Sequence, residues 1–327
     1  MARGCLLQSS GALIIPSGRA GWDDRRSISA VEGGKGTAMV EGEMTEHSPR
    51  VVDLFQPLQV LFDRGPDNCP LPEHVQTLYG GGFGFDGPLL YANFVQSIDG
   101  VVSLRSVHSP APEISGHSPA DRFVMALLRA AADGVLVGAG TMRDTALPWT
   151  AQSVYPQLAA DFARLRAGLE KPADPRLILV TASGEIDVGH PALAGAMVLT
   201  TDPGAAKLAP SLPPECELHV LPGDGEIDMA EALQLIRSQG LRYVLSEAGP
   251  NVTGQLVEAG LLDELFLTIA PVFAGGGNGD GSGLLEGIRM LPDRRESREL
   301  ISVRRSDSYL FLRYGAPTIQ DQPVPTA

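Results

Sequence analysis

The sequence ADGVLVGAGT, residues 132–141, joins a short apolar run to a glycine-rich turn. Residues 134–137 have the length and apolar character of a strand buried on both faces, as in parallel sheets. Gly138, Ala139, Gly140 and Thr141 follow at the carboxyl end of that strand, where open α/β sheets place their ligands. Glycines there let the backbone approach a phosphate, whose oxygens accept hydrogen bonds from N–H groups. From these residues alone, a phosphate site and an ordinary strand-to-helix connection are equally good interpretations.

Short apolar runs alternate with amphipathic segments from residue 89 to residue 314. Ser118 and Pro119 predict the start of a helix with an apolar stripe at helical spacing. Further strands are expected at 89–95, 177–180, 198–199, 218–221, 243–245 and 265–269, helices at 157–169, 227–238 and 251–259, and a hairpin at 301–313. This order predicts an α/β fold of three layers: a mostly parallel central sheet, helices on both faces and a C-terminal antiparallel hairpin.

The ends of the chain lack this periodicity. Residues 1–48, rich in Gly, Ser, Arg and Glu, predict a disordered leader, and residues 49–87 a partly ordered lead-in with a short helix near 51–55. We expect residues 88–314 to form one α/β domain and the Pro-, Gln- and Thr-rich residues 315–327 a disordered tail.

The composition limits the possible partners. The 327 residues are 43% hydrophobic, enough for a sizeable core, and carry a formal net charge of −14. Nucleic acids and anionic membranes are not expected partners, because phosphate contacts need clustered Lys and Arg. No apolar run reaches the roughly 20 residues of a membrane helix. Cys5, Cys69 and Cys216 are odd in number and far apart, so we expect no disulfide framework and no metal site, and a cytoplasmic location.

Two other glycine-rich segments do not predict a ligand site. Gly82, Gly84 and Gly87 spell GxGxxG, but a dinucleotide fingerprint follows a strand and opens a helix, whereas here the strand comes afterwards. A flexible turn is the better interpretation. The segment 275–283 resembles a calcium-binding repeat with its Asp out of register, and we interpret it as a mobile loop.

A second strand-to-helix turn reads SEAGPN, residues 246–251. It offers backbone amides and the positive end of a helix dipole to an anion. Glu247 fits this setting if it faces the substrate as a hydrogen-bond acceptor or proton handler, and the alternative is a solvated loop glutamate.

A third cluster of polar residues lies at the end of the first core strand: Asn93, Gln96, Ser97, Asp99 and Gly100. Polar groups at the end of a buried strand are costly unless they are paired or bind a ligand. An ordinary turn is the alternative, because Asp and Gly are favoured turn residues.

Together these segments resemble the pyrimidine reductase family of riboflavin biosynthesis, whose domain has a dihydrofolate-reductase-like fold. The matching segments, in the family's order, are ANFVQSIDG (92–100), DRFVM (121–125), LR (128–129), ADGVLVGAGT (132–141), EAGP (247–250), GLLDEL (260–265) and IAP (269–271). The resemblance implies an NADPH-dependent reductase that transfers hydride to the ribosyl C1′ of a substrate of the 5-amino-6-(5-phosphoribosylamino)uracil type. The H-x-E and P-C-x-x-C motifs of the zinc deaminase domain found in bifunctional members do not occur in residues 1–87, so we expect only the reductase step.

The resemblance also implies roles for individual residues. The expected cofactor contacts are Gly138, Ala139, Gly140, Thr141, Gly249 and Pro250, with Thr181 and Ser183 as candidates for the adenosine 2′-phosphate. Asn93, Ser97, Gly100, Asp99 and Glu247 are expected on the substrate side, where Asp99 and Glu247 are the candidate proton donors for opening the ribose ring. Arg122 or Arg105 would bind the substrate phosphate.

The family further implies a homodimer. Two alternatives to a pyrimidine reductase remain: reduction of a pterin or folate on the same fold, and a non-catalytic regulatory domain that binds NADPH.

Overall fold

The computed structural model describes residues 55–107, 110–145, 147–223, 225–275 and 279–316. The predicted leader, the first residues of the lead-in with most of its expected helix, and the tail from residue 317 lie outside the described residues.

Strands and helices alternate along the described chain. The strands are β1 (Gln59–Asp63), β2 (Leu89–Gln96), β3 (Ser103–Leu104), β4 (Gly134–Gly138), β5 (Arg176–Thr181), β6 (Met197–Thr200), β7 (Glu217–Val220), β8 (Tyr243–Ser246), β9 (Glu264–Ile269), β10 (Gly281–Ser282), β11 (Glu299–Ser306) and β12 (Tyr309–Gly315). The helices are α1 (Glu73–Tyr79), α2 (Pro110–Ser115), α3 (Pro119–Ala131), α4 (Ala139–Arg143), α5 (Ala151–Val154), α6 (Ala159–Gly168), α7 (Asp202–Leu208), α8 (Met229–Ser238) and α9 (Pro250–Glu258), with 3₁₀ turns at Pro156–Leu158 and Pro191–Leu193.

One large sheet has the strand order β1-β11-β12-β9-β2-β8-β4-β5-β6-β7. Neighbouring strands are parallel from β9 to β7, and antiparallel from β1 through β11 and β12 to β9. The short strands β3 and β10 form a separate antiparallel pair. The predicted mostly parallel sheet with a C-terminal antiparallel hairpin is therefore confirmed.

Alternate residues of the central strands face opposite layers of helices. Val135 and Val137 of β4 belong to the apolar core that includes buried residues of α3 and α6. Leu136, between them, belongs to the core formed with α8 and α9. Because each face of the strand is covered, the run is continuously apolar, as expected for a parallel sheet between two helical layers. The three-layer architecture is confirmed.

The lead-in contributes more to the fold than the sequence indicated. β1 pairs antiparallel with β11 at the sheet edge, and α1 buries Val75, Leu78 and Tyr79. All residues of β1 are exposed, so its sequence lacks the alternation by which a half-buried strand is recognised.

The GxGxxG segment precedes β2, as expected, and packs against an earlier part of the lead-in. The Asn68 amide group donates to the Phe85 carbonyl (2.9 Å) and accepts from the Phe85 N–H (3.1 Å). A Cβ on Gly84 would lie 2.0 Å from Asn68 Oδ1, so this glycine is needed for a close approach within the fold.

The start of α3 agrees with the prediction. The Ser118 Oγ accepts from the Asp121 N–H at 3.4 Å, and Pro119 is the first helical residue. This cap fixes the position of the first turn of α3, whose side chains line the candidate site described below.

Candidate active site

A cleft of about 1400 Å³ opens at the carboxyl ends of β2, β4, β5 and β8. Its walls come from these strand ends, from α2 and α3, and from the segments that follow α4, β7 and β10. The residues from the strand ends include Asn93, Phe94, Val95, Ala139, Gly140, Thr141, Val180, Thr181, Ser183, Glu247, Ala248, Gly249 and Pro250. This is the edge at which parallel α/β sheets bind ligands.

The two predicted glycine turns lie side by side in this cleft. The Glu247 N–H donates to the Leu136 carbonyl at 2.9 Å, and a Cβ on Gly249 would lie 3.9 Å from Thr141 Oγ1. α4 begins after Gly138 and α9 after Gly249, and neither helix has a side-chain cap. The first-turn amides of both helices therefore have no side-chain acceptor, which is the arrangement that binds anionic groups.

Thr181 and Ser183 also line the cleft, after β5. The Thr181 Oγ1 accepts from the Gly184 N–H (3.2 Å) and the Ser183 Oγ from the Glu185 N–H (3.3 Å), so each hydroxyl also shapes the turn. Lys207, which donates to Glu185 at 3.0 Å, lowers the pKa of that carboxyl, and Arg143 contributes to the same effect. Positive charge is thus present near this turn, next to an acidic residue.

Glu247 forms a bidentate ion pair with Arg129. The Arg129 Nε donates to one carboxylate oxygen at 2.7 Å and Nη2 donates to the other at 2.6 Å. Only 6% of the arginine side chain and 10% of the glutamate side chain are exposed. Both residues line the cleft, and the pair joins α3 to the turn after β8.

Sequence reasoning did not assign a site role to Arg129. Arg129 and Glu247 are 118 residues apart, and local spacing cannot show that they meet. One general signal was available: a glutamate at the end of a buried strand needs a cation or several donors, and an arginine on an otherwise apolar helix face is a suitable partner.

The polar cluster after β2 is only partly brought into the cleft. Asn93 lines it, whereas Ser97, Asp99 and Gly100 are not among its described lining residues. Ser97 is fully buried and its Oγ accepts from the Val101 N–H at 3.0 Å, while Gly100 has a φ of +87°, which favours glycine.

Asp99 is exposed and holds a neighbouring loop. Its carboxylate accepts from the N–H groups of Ala274 (3.0 Å) and Gly275 (2.8 Å). The hydroxyl of Ser97 and these two amides lower the pKa of Asp99 to about 2. Asp99 is therefore ionised at neutral pH and is not among the described residues that line the cleft, and its role as proton donor stays a prediction. The family resemblance implied this role, and β2 ends at Gln96, before Asp99.

Of the two candidate phosphate-binding arginines, Arg122 lines the cleft. Its Nε and Nη2 donate to the Val154 carbonyl at 3.1 and 2.6 Å, which orients the guanidinium without neutralising it. Arg105 instead donates to Glu286 at 2.9 Å and is not among the described lining residues.

Asp121 is a cleft residue that sequence reasoning did not select. It lies in the first turn of α3, is 5% exposed and lines the cleft. Burial raises the pKa of its carboxyl from the ordinary value of 3.8 to about 6, although a hydrogen bond with Thr268 opposes the shift. The described residues give it no ion pair.

The described parts of the chain show neither a metal-binding cluster nor a membrane-spanning helix. These residues contain no group of three or more His, Cys, Asp or Glu that could hold a metal ion. None of their helices is long and apolar enough to cross a membrane.

The fold and the cleft define an α/β protein of the class that binds its ligands at the carboxyl edge of a mostly parallel sheet. More narrowly, the chain belongs to the RibD C-terminal domain family, whose model matches residues 88–301. This membership confirms the resemblance to the pyrimidine reductases of riboflavin biosynthesis and the fold class that the resemblance implied.

Individual relatives agree with this assignment. The chain is 23% identical over 213 residues to a 2,5-diamino-6-ribosylamino-4(3H)-pyrimidinone 5′-phosphate reductase of Archaeoglobus fulgidus, covering 62% of this chain and 91% of the relative. Its fold is similar to that of a pyrimidine reductase-like protein from Corynebacterium diphtheriae, with a TM-score of 0.55, 22% identity and coverage of 77% and 97% of the two chains. It is also similar to Acinetobacter baumannii RibD, with a TM-score of 0.53, 16% identity and coverage of 75% and 61%.

Proposed function

We propose that the protein is an NADPH-dependent reductase that converts a phosphoribosylamino-pyrimidine of riboflavin biosynthesis to its ribityl product. The observation that carries this proposal is the adjacency of two glycine turns, each opening a helix without a side-chain cap, within one cleft of a member of this family. Neighbouring sets of backbone amides suit the two phosphates of a dinucleotide. The volume of about 1400 Å³ leaves room for a second ligand beside it.

The chain's own residues would hold and orient the two ligands. Ala139, Gly140, Thr141, Gly249 and Pro250 line the cleft and would contact the cofactor, and Thr181 and Ser183 would contact its adenosine 2′-phosphate. Gly138, the residue before α4, is not among the described lining residues, and its contact with the cofactor is proposed from the family resemblance. Asn93 and Arg122 would face the substrate, and the Arg129–Glu247 pair would keep the wall between the two ligands rigid. NADPH, when bound, supplies the hydride for ribosyl C1′.

The backbone anion site can be tested at Gly249. Its φ of −67° and its surroundings accept a side chain, and aspartate is a good N-cap. Gly249→Asp would cap α9 itself and repel a phosphate, so we expect a KM for NADPH raised on the order of 100-fold with an unchanged fold. Gly249→Ser, a neutral cap, is the matched control and should have a much smaller effect.

Turnover is followed by the loss of NADPH absorbance with the phosphoribosylamino-pyrimidine as substrate. Equal KM values for NADPH in the Asp and Ser variants would refute the cofactor position. If the wild-type protein oxidises no NADPH in the presence of either ring form of this pyrimidine, the proposed function is refuted.

We also propose a cytoplasmic homodimer. Cys69 and Cys216 are free thiols, which suits a reducing compartment. The edge strand β1 exposes Val60, Leu61 and Phe62 by 41%, 51% and 43%, and such an edge supports pairing with a second chain. Leu61→Lys should then shift the mass measured by light scattering from dimer to monomer, whereas a wild-type protein that is monomeric would refute the dimer.

A further inference from the structure

We propose that Asp121 selects the pyrimidine ring of the substrate: its carboxylate binds the 2-amino group and N3–H of a 2-amino-4-oxopyrimidine and discriminates against the corresponding uracil. This inference rests on the proposed function. It decides between two substrates, the 2-amino-4-oxopyrimidine and the corresponding uracil, because hydride transfer to the ribosyl group is possible with either.

The position of Asp121 separates it from the turns assigned to the cofactor. Asp121 lines the cleft from the first turn of α3 and interacts with Thr268 of β9, whereas the cofactor turns follow β4, β5 and β8. Thr268, its hydrogen-bond partner, is opposite Val95 of β2 in the strand register. Asp121 therefore belongs to the substrate half of the cleft.

The buried carboxylate of Asp121 has few donors among the described residues around it. The neighbouring guanidinium of Arg122 donates to Val154, and Tyr309, whose pKa is raised in part by Asp121, donates to Ser115. Thr268 supplies one hydroxyl, whereas an ionised carboxylate can accept about four hydrogen bonds. A buried carboxylate is expensive unless donors or a cation balance it, so the remaining donors are expected from the ligand.

Glu247 provides the contrast within the same cleft. Both of its oxygens accept from one guanidinium, at 2.7 and 2.6 Å, and its charge is balanced by the protein itself. Asp121 is held in place by the capped start of α3 but has no ion pair among the described residues. The Glu247 carboxylate is thus paired within the protein, whereas the Asp121 carboxylate is available to accept hydrogen bonds from a ligand.

The ring chemistry follows from this difference. In a 2-amino-4(3H)-pyrimidinone, the N3–H and one N–H of the amino group point in the same direction and match the two oxygens of a carboxylate. In the uracil, the N3–H lies beside a carbonyl oxygen, which a carboxylate oxygen repels. The favoured substrate therefore still carries its 2-amino group, and the hydrolytic deamination that replaces this group acts on the product of the reductase.

A reduced pterin carries the same 2-amino-4-oxopyrimidine edge, so the test needs three substrates. Full-length protein and NADPH are supplied with the 2,5-diamino-pyrimidinone ribosylamino phosphate, with its uracil counterpart or with dihydrofolate. We expect the wild-type kcat/KM to favour the diamino form over the uracil form on the order of 100-fold, mainly through KM.

Asp121→Asn makes the test sharper. The asparagine amide presents one acceptor and one donor, which match the N3–H and carbonyl of the uracil, so we expect the preference to reverse. The control is Asp161→Asn, which removes a buried carboxylate that is paired with Arg164 outside the cleft. This control should leave the substrate ratio unchanged.

The outcomes separate the inference from the proposed function. If the wild-type kcat/KM is higher for the uracil, or equal for the two pyrimidines, the inference is overturned. This result does not depend on whether Asp121→Asn folds, and it leaves the proposed reduction of a pyrimidine unaffected. An Asp121→Asn variant with the wild-type ratio also overturns it. Turnover of dihydrofolate alone overturns the proposed function, while a loss of that turnover in Asp121→Asn still supports recognition of the shared edge. Titration calorimetry tests binding independently of turnover. If the wild type has equal affinity for the two pyrimidines in this measurement, the inference is overturned.

Discussion

The burial of Asp121 makes a specific prediction about the pH dependence of stability. Its carboxyl has a pKa of about 6 in the folded protein against 3.8 for an ordinary aspartate, because burial disfavours the charged form. Below pH 3.8 both states are protonated, and above pH 6 both are ionised. Between these values the folded state binds more protons, so rising pH lowers the free energy of unfolding.

The magnitude follows from this shift. At about 1.36 kcal/mol per pKa unit, a rise from 3.8 to about 6 corresponds to a cost on the order of 3 kcal/mol at pH 8. At pH 5 the same relation gives roughly half of this cost, so the cost grows by about 1–2 kcal/mol between pH 5 and pH 8. Asp121→Asn has nearly the same shape and no titrating group. Its stability relative to the wild type should therefore rise by about 1–2 kcal/mol over this range.

Urea unfolding of both proteins at several values between pH 5 and pH 8 measures this difference. Asp99→Asn is the control: hydrogen bonds hold the pKa of Asp99 at about 2, so its ionisation is complete across the range and the difference from the wild type should not change with pH. A difference between Asp121→Asn and the wild type that is flat across the range, or that falls as pH rises, would refute the reasoning.

Further predictions concern the cleft wall and the lead-in. Arg129→Ala should lower the free energy of unfolding by about 3–5 kcal/mol, because Glu247 would be left buried and unpaired. A double variant with Arg129→Met and Glu247→Gln should recover part of this loss in chemical denaturation, and a single variant as stable as the wild type would contradict the role of the pair. Gly84→Ala should cost about 1–3 kcal/mol, since its Cβ would lie 2.0 Å from Asn68 Oδ1, whereas Gly87→Ala, with no atom within 4 Å, should be close to neutral in the same assay.

The architecture could be predicted because its signals are local. The apolar runs of β4 and β5 are continuous, since both faces of these strands are buried, and Ser118 begins α3 through a cap of neighbouring residues. The glycine turns at 138–141 and 247–250 were found by the same reasoning, because each follows such a strand. Their adjacency follows from the direct pairing of β4 with β8.

The missed features depend on contacts between distant parts of the chain. Arg129 is paired with Glu247, which is 118 positions away in the sequence. That Asp121 has no ion pair among the described residues can be seen only in the structure, where the adjacent Arg122 donates to Val154. Asp99 was assigned to the substrate side from the family resemblance, and its hydrogen bonds to the N–H groups of Ala274 and Gly275 likewise join distant parts of the chain. The exposed strand β1 gave no periodic signal because sheet pairing, rather than burial, holds it in place.

Helix α3 fixes the spacing between two positions in the cleft wall. Asp121, in its first turn, and Arg129, eight residues later, are about 12 Å apart along a single helix. Asp121 lines the cleft, and Arg129 is paired with Glu247 in the turn that precedes α9. Ten of the 13 residues of α3 are buried and Ser118 caps its start, so this spacing exists before any ligand binds. A ligand whose groups match the spacing therefore does not have to order the helix, which lowers the entropic cost of binding.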